Sequence, residues 1–275
     1  MPHNRIGILA GGGTLPVLIR DACRRTHQAY HVVVFDGQGD PAVFADDSHA
    51  VIRLGAAGAA IKSLKSAGCD TLVLAGTIRR PGMKELRPDW WGVKFFAKSG
   101  AAALGDDGLL TALIRALEKE GFDVIGAEDL IPEQLMPKGL IGNVKPTAAQ
   151  VKDITTAIRA AKDLGARDIG QAAVVRAGEI IAEEDAAGTD AMLRKLAEHG
   201  NTGGVLAKTL KPGQERRADL PTAGSETVRN AAAAGLDGIV IEAGNAFLID
   251  RDGTARAADA AGLFVLGVDA DGNWQ

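Results

Sequence analysis

The sequence predicts an α/β protein, with an N-terminal Rossmann-like domain built on a parallel sheet and a C-terminal α+β domain with a mixed sheet. Three observations carry this. The first half alternates short β-branched runs with helix-length segments, a triple glycine at Gly11 to Gly13 joins the first run to the first helical pattern, and hairpin signals appear among the helices of the second half. At 275 residues the chain is long for one domain. The expected division is residues 1–132, a linker at 133–146 and a second domain at 147–275.

Taken in order, RIGIL reads as a strand, LPVLIRDACRR as a helix, HVVVF and AVIRL as strands, AAGAAIKSLKSAG as a helix and TLVLAG as a strand. GDDGLLTALIRALEKEG places Leu109, Leu110, Leu113, Ile114 and Leu117 on one helical face, with Asp106 or Asp107 as cap and Gly121 as terminator. FDVIG is a further strand. LIPEQLMPKGLIGNVKP then loses periodicity and carries three prolines, which places the linker there. Thr147 and Gln150 form a capping box for AAQVKDITTAIRAAKDLG. QAAVVRAGEIIAEE reads as a hairpin turning at Ala177-Gly178, followed by the helix GTDAMLRKLAEHG and the strand GVLAKTL. After the polar loop KPGQERRADLPTAG come a helix capped by Ser225, a second hairpin in GIVIEAGNAFLID and a last strand, LFVLGV.

Composition narrows the partners. A net charge of −4 with no Lys/Arg run gives no field for nucleic acid. No apolar stretch approaches a membrane span, and the glycine bend interrupts the place of a signal peptide, so the chain reads as cytoplasmic. Cys23 and Cys69 have neither metal nor redox spacing and read as reduced core residues. The five histidines are scattered and read as surface residues.

The glycine bend is the first candidate site. Between a strand and a helix, glycines let backbone N–H groups approach an anion that the helix N-terminus also favours, so Gly12, Gly13 and Thr14 are candidates for a phosphate. Pro16 stands where the dinucleotide fingerprint needs a glycine, and the Gly-Lys-Ser/Thr of a P-loop is absent. Pro16 suits the first helical turn, and Asp36 ends HVVVF where an acid would meet a ribose. LAGTIRRPG brings a second strand end, with Gly76, Thr77, Arg79 and Arg80, to a place where α/β sheets bind ligands. The same bend equally serves as a plain strand-to-helix turn.

Acids cluster in the polar turns of the second half: Glu183, Glu184 and Asp185, Asp190 in GTD, and Asp219 in RRADLP. Converging carboxylates suit Mg²⁺, although such acids, and Thr189 beside Asp190, also cap helices and turns. Lys208 ends GVLAKTL and is a candidate for phosphate, while Gln171 begins the first hairpin. DWWGVKFF gathers Trp90, Trp91, Phe95 and Phe96 with Lys94 and Lys98 interleaved, a pattern that fits either core packing or an acyl-binding or membrane-touching role.

ILAGGGTLP, LAGTIRRPG with RPDWW, GDDGLL, IGQAAVVRAGEIIAEE with AAGTDAML, VLAKTLKPGQERRADLPTAG and AAGLDGIVIEAG occur in this order over almost the whole chain. The set resembles the second type of UDP-2,3-diacylglucosamine pyrophosphatase of lipid A synthesis, unrelated to the metallophosphoesterase type. The combination of GQAAVV, GTDAM and DLPTAG carries the resemblance.

The resemblance implies Mg²⁺-dependent hydrolysis of the diphosphate of UDP-2,3-diacylglucosamine to UMP and 2,3-diacylglucosamine 1-phosphate (lipid X), by two domains holding the substrate between them. It marks Asp219 as the foremost acid and matches Glu184 and Asp190. The family usually has glutamate before GTD, where this chain has Ala187. The site expected on this basis has Asp219, Asp190 and Glu184 as catalytic residues and metal ligands. Substrate falls to Gly12, Gly13, Thr14, Gly76, Thr77, Arg80, Gln171, Thr189 and Lys208. Such a substrate entails transient contact with the inner face of the cytoplasmic membrane, and a homodimer stays open. The rival readings are an NAD(P)-dependent oxidoreductase, motivated by the bend and Asp36, and a non-catalytic nucleotide-binding regulator.

Overall fold

The computed structural model describes residues 5–79, 82–100, 106–200 and 203–274. The chain divides into two compact units, Met1–Pro132 with Glu215–Asp219, and Glu133–Gln214 with Leu220–Gln275.

The first unit runs β1 (Ile6–Ala10), α1 (Leu15–Arg25), β2 (Tyr30–Phe35), β3 (His49–Ile52), α2 (Ala57–Ser66), β4 (Thr71–Ala75), α3 (Met83–Leu86), α4 (Trp90–Ser99), α5 (Asp106–Lys119), β5 (Asp123–Ile125) and α6 (Ala127–Leu130). Its strands form one parallel sheet in the order β3-β2-β1-β4-β5. Leu9, Val33, Leu72 and Val124 pack with Ile61 and Leu64 of α2 and Ile114 and Leu117 of α5. Ile8, Val32 and Val73, one residue out of phase, are equally buried. Burial on both faces explains why these strands read as unbroken apolar runs. In α1, Pro16, Ile19, Ala22 and Cys23 are buried on one stripe. α5 ends as expected, with Gly121 at φ +96 and its N–H on the Glu118 carbonyl. The side chains of Asp106 and Asp107, read as its cap, lie outside the described residues.

Asp89 ties two helices together. One carboxylate oxygen caps α4 through Gly92 N at 2.9 Å, and the other accepts from Gly58 N and Ala59 N in the first turn of α2, at 2.8 and 3.3 Å. A cap is worth about 1 kcal/mol, so this one side chain fixes both helix starts.

The second unit holds β6 (Gly139–Ile141), α7 (Ala148–Ala166), β7 (Ala172–Arg176), β8 (Glu179–Glu183), α8 (Thr189–Glu198), β9 (Val205–Lys208), β10 (Thr222–Ala223), α9 (Ser225–Ala233), β11 (Gly238–Glu242), β12 (Phe247–Leu248), α10 (Arg251–Ala261) and β13 (Phe264–Val268). Its main sheet has the order β6-β13-β11-β9-β7-β8, parallel across β13, β11 and β9 and antiparallel at both edges. Ile154, Ala157, Ile158 and Ala161 of α7 cover one face through Ala173, Val175, Val205 and Val240. Residues from α8, α9 and α10 cover the other through Val174, Leu206, Ile239 and Val265. The capping box of α7 is formed, with Thr147 N on Gln150 Oε1 at 2.7 Å and Gln150 N on Thr147 Oγ1 at 3.4 Å.

Several expectations need correction. The stretch 133–146, read as a linker, contains β6, which pairs antiparallel with β13 and closes one sheet edge. GIVIEAGNAFLID is not a hairpin: β11 lies between β9 and β13, while β12 pairs in parallel with β10 in a separate two-stranded sheet. The cap of α9 is Gly224 rather than Ser225, with Gly224 N donating to Thr227 Oγ1 at 3.3 Å. His31 is buried rather than on the surface, its ring nitrogens lying 2.8 Å from Ser48 Oγ and 3.1 Å from Ser63 Oγ. The first hairpin is as expected, with Ala177 at φ +52 and Gly178 at φ +83, and Asp153 of α7 accepting from both turn amides at 2.9 and 2.7 Å.

Candidate functional site

In the first unit, β1 is flanked by β2 on one side and β4 on the other, so the chain reverses its direction of winding between β1 and β4. Open α/β sheets hold ligands outside the carboxyl ends of the strands at such a point. Gly11 to Thr14 leave the end of β1, and Gly76 and Thr77 leave the end of β4. The two loops are stitched together: Gly11 N donates to Ala75 O at 2.8 Å, Gly12 N to Thr77 O at 2.8 Å, and Thr77 N to Gly12 O at 2.9 Å. Close approach is what the glycines provide here. A Cβ on Gly76, at φ +89, would stand 2.4 Å from the Gly12 carbonyl oxygen, and one on Gly11 would stand 2.5 Å from that of Thr77.

This corrects the role given to Gly12, whose amide is committed to the Thr77 carbonyl in the loop after β4. Thr77 N is likewise committed, to the Gly12 carbonyl. The amides of Gly13, Thr14 and Leu15 have no hydrogen-bond acceptor among the described residues. Gly13 is exposed at φ +85, and Thr14, the exposed N-cap of α1, makes no capping bond with its hydroxyl. Donors therefore gather at the start of α1, one residue later than the glycine count implied. The loop after β2 joins them, because Gln38 Oε1 accepts from Arg79 N at 2.8 Å. Asp36 is exposed in that loop. Arg80 lies outside the described residues.

Asp219 falls in this unit, on the segment Glu215–Asp219. The segment is held by arginines. Arg217 takes both carboxylate oxygens of Glu215 at 2.9 and 2.8 Å, and its NH1 reaches Glu118 of α5 at 2.7 Å and the carbonyl of Val124 in β5 at 3.3 Å. Arg216 lies 3.6 Å from Glu128 of α6, and Ala218 packs against the core. The Glu215 carbonyl accepts from Ala218 N and Asp219 N, which winds the segment into a tight turn with Asp219 half-buried at its end. Glu215 and then Glu118 hold the Arg217 guanidinium proton more firmly than usual, and Arg217 lowers the pKa of Glu215.

In the second unit, Glu184 draws two other expected residues to it. Its buried carboxylate accepts from Gln171 N at 2.8 Å and from Thr189 Oγ1 at 3.1 Å. Asp190, one residue into α8, is exposed and accepts from Asn230 of α9 at 2.9 Å. Lys208, 8 % exposed at the end of β9, donates to the Thr222 carbonyl at 3.1 Å. Thr209 was missed by sequence reasoning. It is 1 % exposed, its N–H meets the Gln171 carbonyl at 3.0 Å, and its hydroxyl, like the buried Oε1 of Gln171, has no partner among the described residues. Buried polar atoms left unpaired cost about 1–3 kcal/mol, which sets these two groups apart from the satisfied polar groups around them. The one sequence signal was a threonine directly after a strand-ending lysine.

The three acids read as metal ligands are divided between the two units. Glu184 is turned inward onto protein donors, Asp190 is turned outward to α9, and Asp219 belongs to the other unit. Among the described residues, no three His, Cys, Asp or Glu side chains form a metal cage. Within the second unit, Glu184 and Asp190 do not converge on one ion.

Two α/β units, each presenting polar groups at the carboxyl ends of parallel strands, define a two-part protein of the open-sheet, ligand-binding class. Two family domains match nearly its full length, the LpxI N-terminal domain over residues 5–134 and the LpxI C-terminal domain over 137–266. The chain belongs to the LpxI family. It is 42 % identical over 274 residues to the UDP-2,3-diacylglucosamine pyrophosphatase LpxI of Caulobacter vibrioides, covering 96 % of this chain and 98 % of that one. A solved N5-carboxyaminoimidazole synthase from Aspergillus clavatus, in complex with ADP and 5-aminoimidazole ribonucleotide, aligns over 51 % of this chain and 39 % of its own. Its TM-score of 0.25 and 14 % identity are too low to carry an argument.

Proposed function

We propose that this protein hydrolyses the diphosphate of UDP-2,3-diacylglucosamine, giving UMP and 2,3-diacylglucosamine 1-phosphate in lipid A biosynthesis. What supports the reading is family membership over both halves, together with the uncommitted amides of Gly13, Thr14 and Leu15 at the switch point. In the reaction, a water oxygen bonds to one phosphorus as the bridging P–O bond breaks, the departing phosphate takes the electron pair and the water's proton passes to solvent. Catalysis of this kind is mainly positioning and charge neutralisation. The start of α1 and the Thr14 hydroxyl donate to phosphate oxygens, and Asp219 accepts a hydrogen bond from the attacking water and orients it. Lys208, Thr209 and Gln171 supply the cation and hydrogen-bonding groups of the second unit. Mg²⁺ dependence is carried over from the resemblance, and the ion would supply charge neutralisation for the diphosphate. A lipid substrate brings the protein to the inner face of the cytoplasmic membrane.

The test is turnover of UDP-2,3-diacylglucosamine followed by phosphorus NMR. UMP and the sugar 1-phosphate are expected, with loss of activity in EDTA and recovery with excess Mg²⁺. Asp219→Ala is expected to lower kcat at least a hundredfold. No turnover by the wild type overturns the reading, and full turnover by Asp219→Ala removes Asp219 from it.

A further inference from the structure

α4 has two unlike faces. Trp91 faces inward: its ring stacks on Phe95 at 5.6 Å, and its indole N–H donates to Glu120 at 2.8 Å, a carboxylate also paired with Lys65. Trp90 faces outward and is 71 % exposed. Val93, three positions on, is 44 % exposed, and Ala97, seven positions on, is exposed as well. These three residues form one short apolar stripe. Lys94 and Lys98 are exposed beside it, and the Lys94 ammonium lies 5.3 Å from the centre of the Trp90 ring. A tryptophan in water with lysines along its flank is the arrangement that places an indole at headgroup depth and cations on phosphates.

Charge separates a lipid surface from a second protein as the occupant. Between Thr77 and Gly100 the sequence carries six basic and two acidic residues, in a chain whose net charge is −4. One of those acids, Asp89, is consumed in capping α2 and α4. In sequence the segment is net positive, which an anionic bilayer complements and which a second copy of this chain, carrying the same segment, repels.

We infer that the outer face of α4, with Trp90 as the inserted residue and Lys94 and Lys98 as headgroup contacts, docks the protein on an anionic phospholipid surface. The inference rests on the reading of the substrate as a membrane lipid and names the surface that meets the bilayer.

The test is co-sedimentation of the full-length protein with vesicles of phosphatidylglycerol and phosphatidylcholine, and with phosphatidylcholine alone. Wild type is expected to bind the anionic vesicles and to leave them in 0.5 M salt. Trp90→Ala is expected to weaken binding about tenfold, and Lys94→Gln with Lys98→Gln about twentyfold, since each cation near an anionic surface contributes roughly fivefold. Quenching by brominated lipid is expected to persist in Trp91→Phe and to fall in Trp90→Phe. Failure of the wild type to bind anionic vesicles, variants that bind as it does, or a dimer in the absence of lipid that Trp90→Ala dissolves would each overturn the inference. Turnover of detergent-dispersed substrate by the wild type tests the enzymatic reading separately, so either can fail alone.

Discussion

Replacing Arg217 with methionine tests whether the anchored segment Glu215–Asp219 serves the chemistry. The change keeps most of the side-chain stem and removes a guanidinium that holds Glu215 by two oxygens, Glu118 at 2.7 Å and the Val124 carbonyl at 3.3 Å. The side chains of Arg217 and Glu118 are 35 % and 41 % exposed, so each ion pair is screened and worth roughly 0.5–1 kcal/mol. The hydrogen bond to Val124 adds about 1 kcal/mol. The expected loss is therefore about 2 kcal/mol, a midpoint lower by about 5 °C in thermal unfolding. The functional cost exceeds this. A loop that shifts its carboxylate by about 1 Å can lose a hundredfold in rate, so kcat for the uridine diphosphate lipid is expected to fall 10- to 100-fold with KM changed less. Glu118→Gln, which leaves the Glu215 and Val124 contacts in place, is expected to lie between wild type and Arg217→Met. A stable Arg217→Met protein with the wild-type kcat would refute the reasoning.

Asp153→Ala leaves the turn amides of Ala177 and Gly178 without their acceptor and is expected to cost about 2–4 kcal/mol in urea unfolding, whereas Ala177→Gly relieves the left-handed alanine and adds about 0.5–1 kcal/mol. His31 has its pKa lowered from 6.5, first by burial and then by the charges of Arg5 and His49. The unfolded chain therefore takes the proton first, and this contribution to stability is complete above about pH 6.5 and lost as pH falls below it. His31→Gln should shrink the difference between urea midpoints at pH 7.5 and pH 5, and an unchanged difference would count against the assignment. Burial pushes the Cys23 and Cys69 thiols up to about 11, so both are expected to resist iodoacetamide at pH 8 in the native protein and to react within minutes in urea.

The parallel sheet of the first unit was legible because IGIL, HVVVF and TLVLA are apolar on both strand faces, which only a doubly covered strand requires. The glycine bend was legible as a strand-to-helix turn and candidate phosphate site. The commitment of the Gly12 amide was not, because its acceptor lies 65 residues away on Thr77 and only strand order brings it near. Glu184 and Asp190 stand in neighbouring polar turns, and their reading as ligands of one metal came from that clustering and from the family resemblance. The start of α8 separates them, sending Asp190 to Asn230 while Glu184 folds back onto Gln171. GIVIEAGNAFLID carries a plausible turn, and long-range partners on β9, β10 and β13 outweighed it. Thr209 stayed hidden because a threonine after a strand is commonplace, and its distinction lies in an unpaired buried hydroxyl that no pattern encodes.

The five residues from Glu215 to Asp219 make the first unit depend on a stretch of chain encoded more than eighty residues beyond its apparent end at Pro132. A recombinant fragment stopping there would lack Ala218 beside its core and the arginines that meet Glu118 and Glu128. The halves are therefore not interchangeable cassettes: a chimera that swaps one of them between relatives inherits this short graft from the wrong parent.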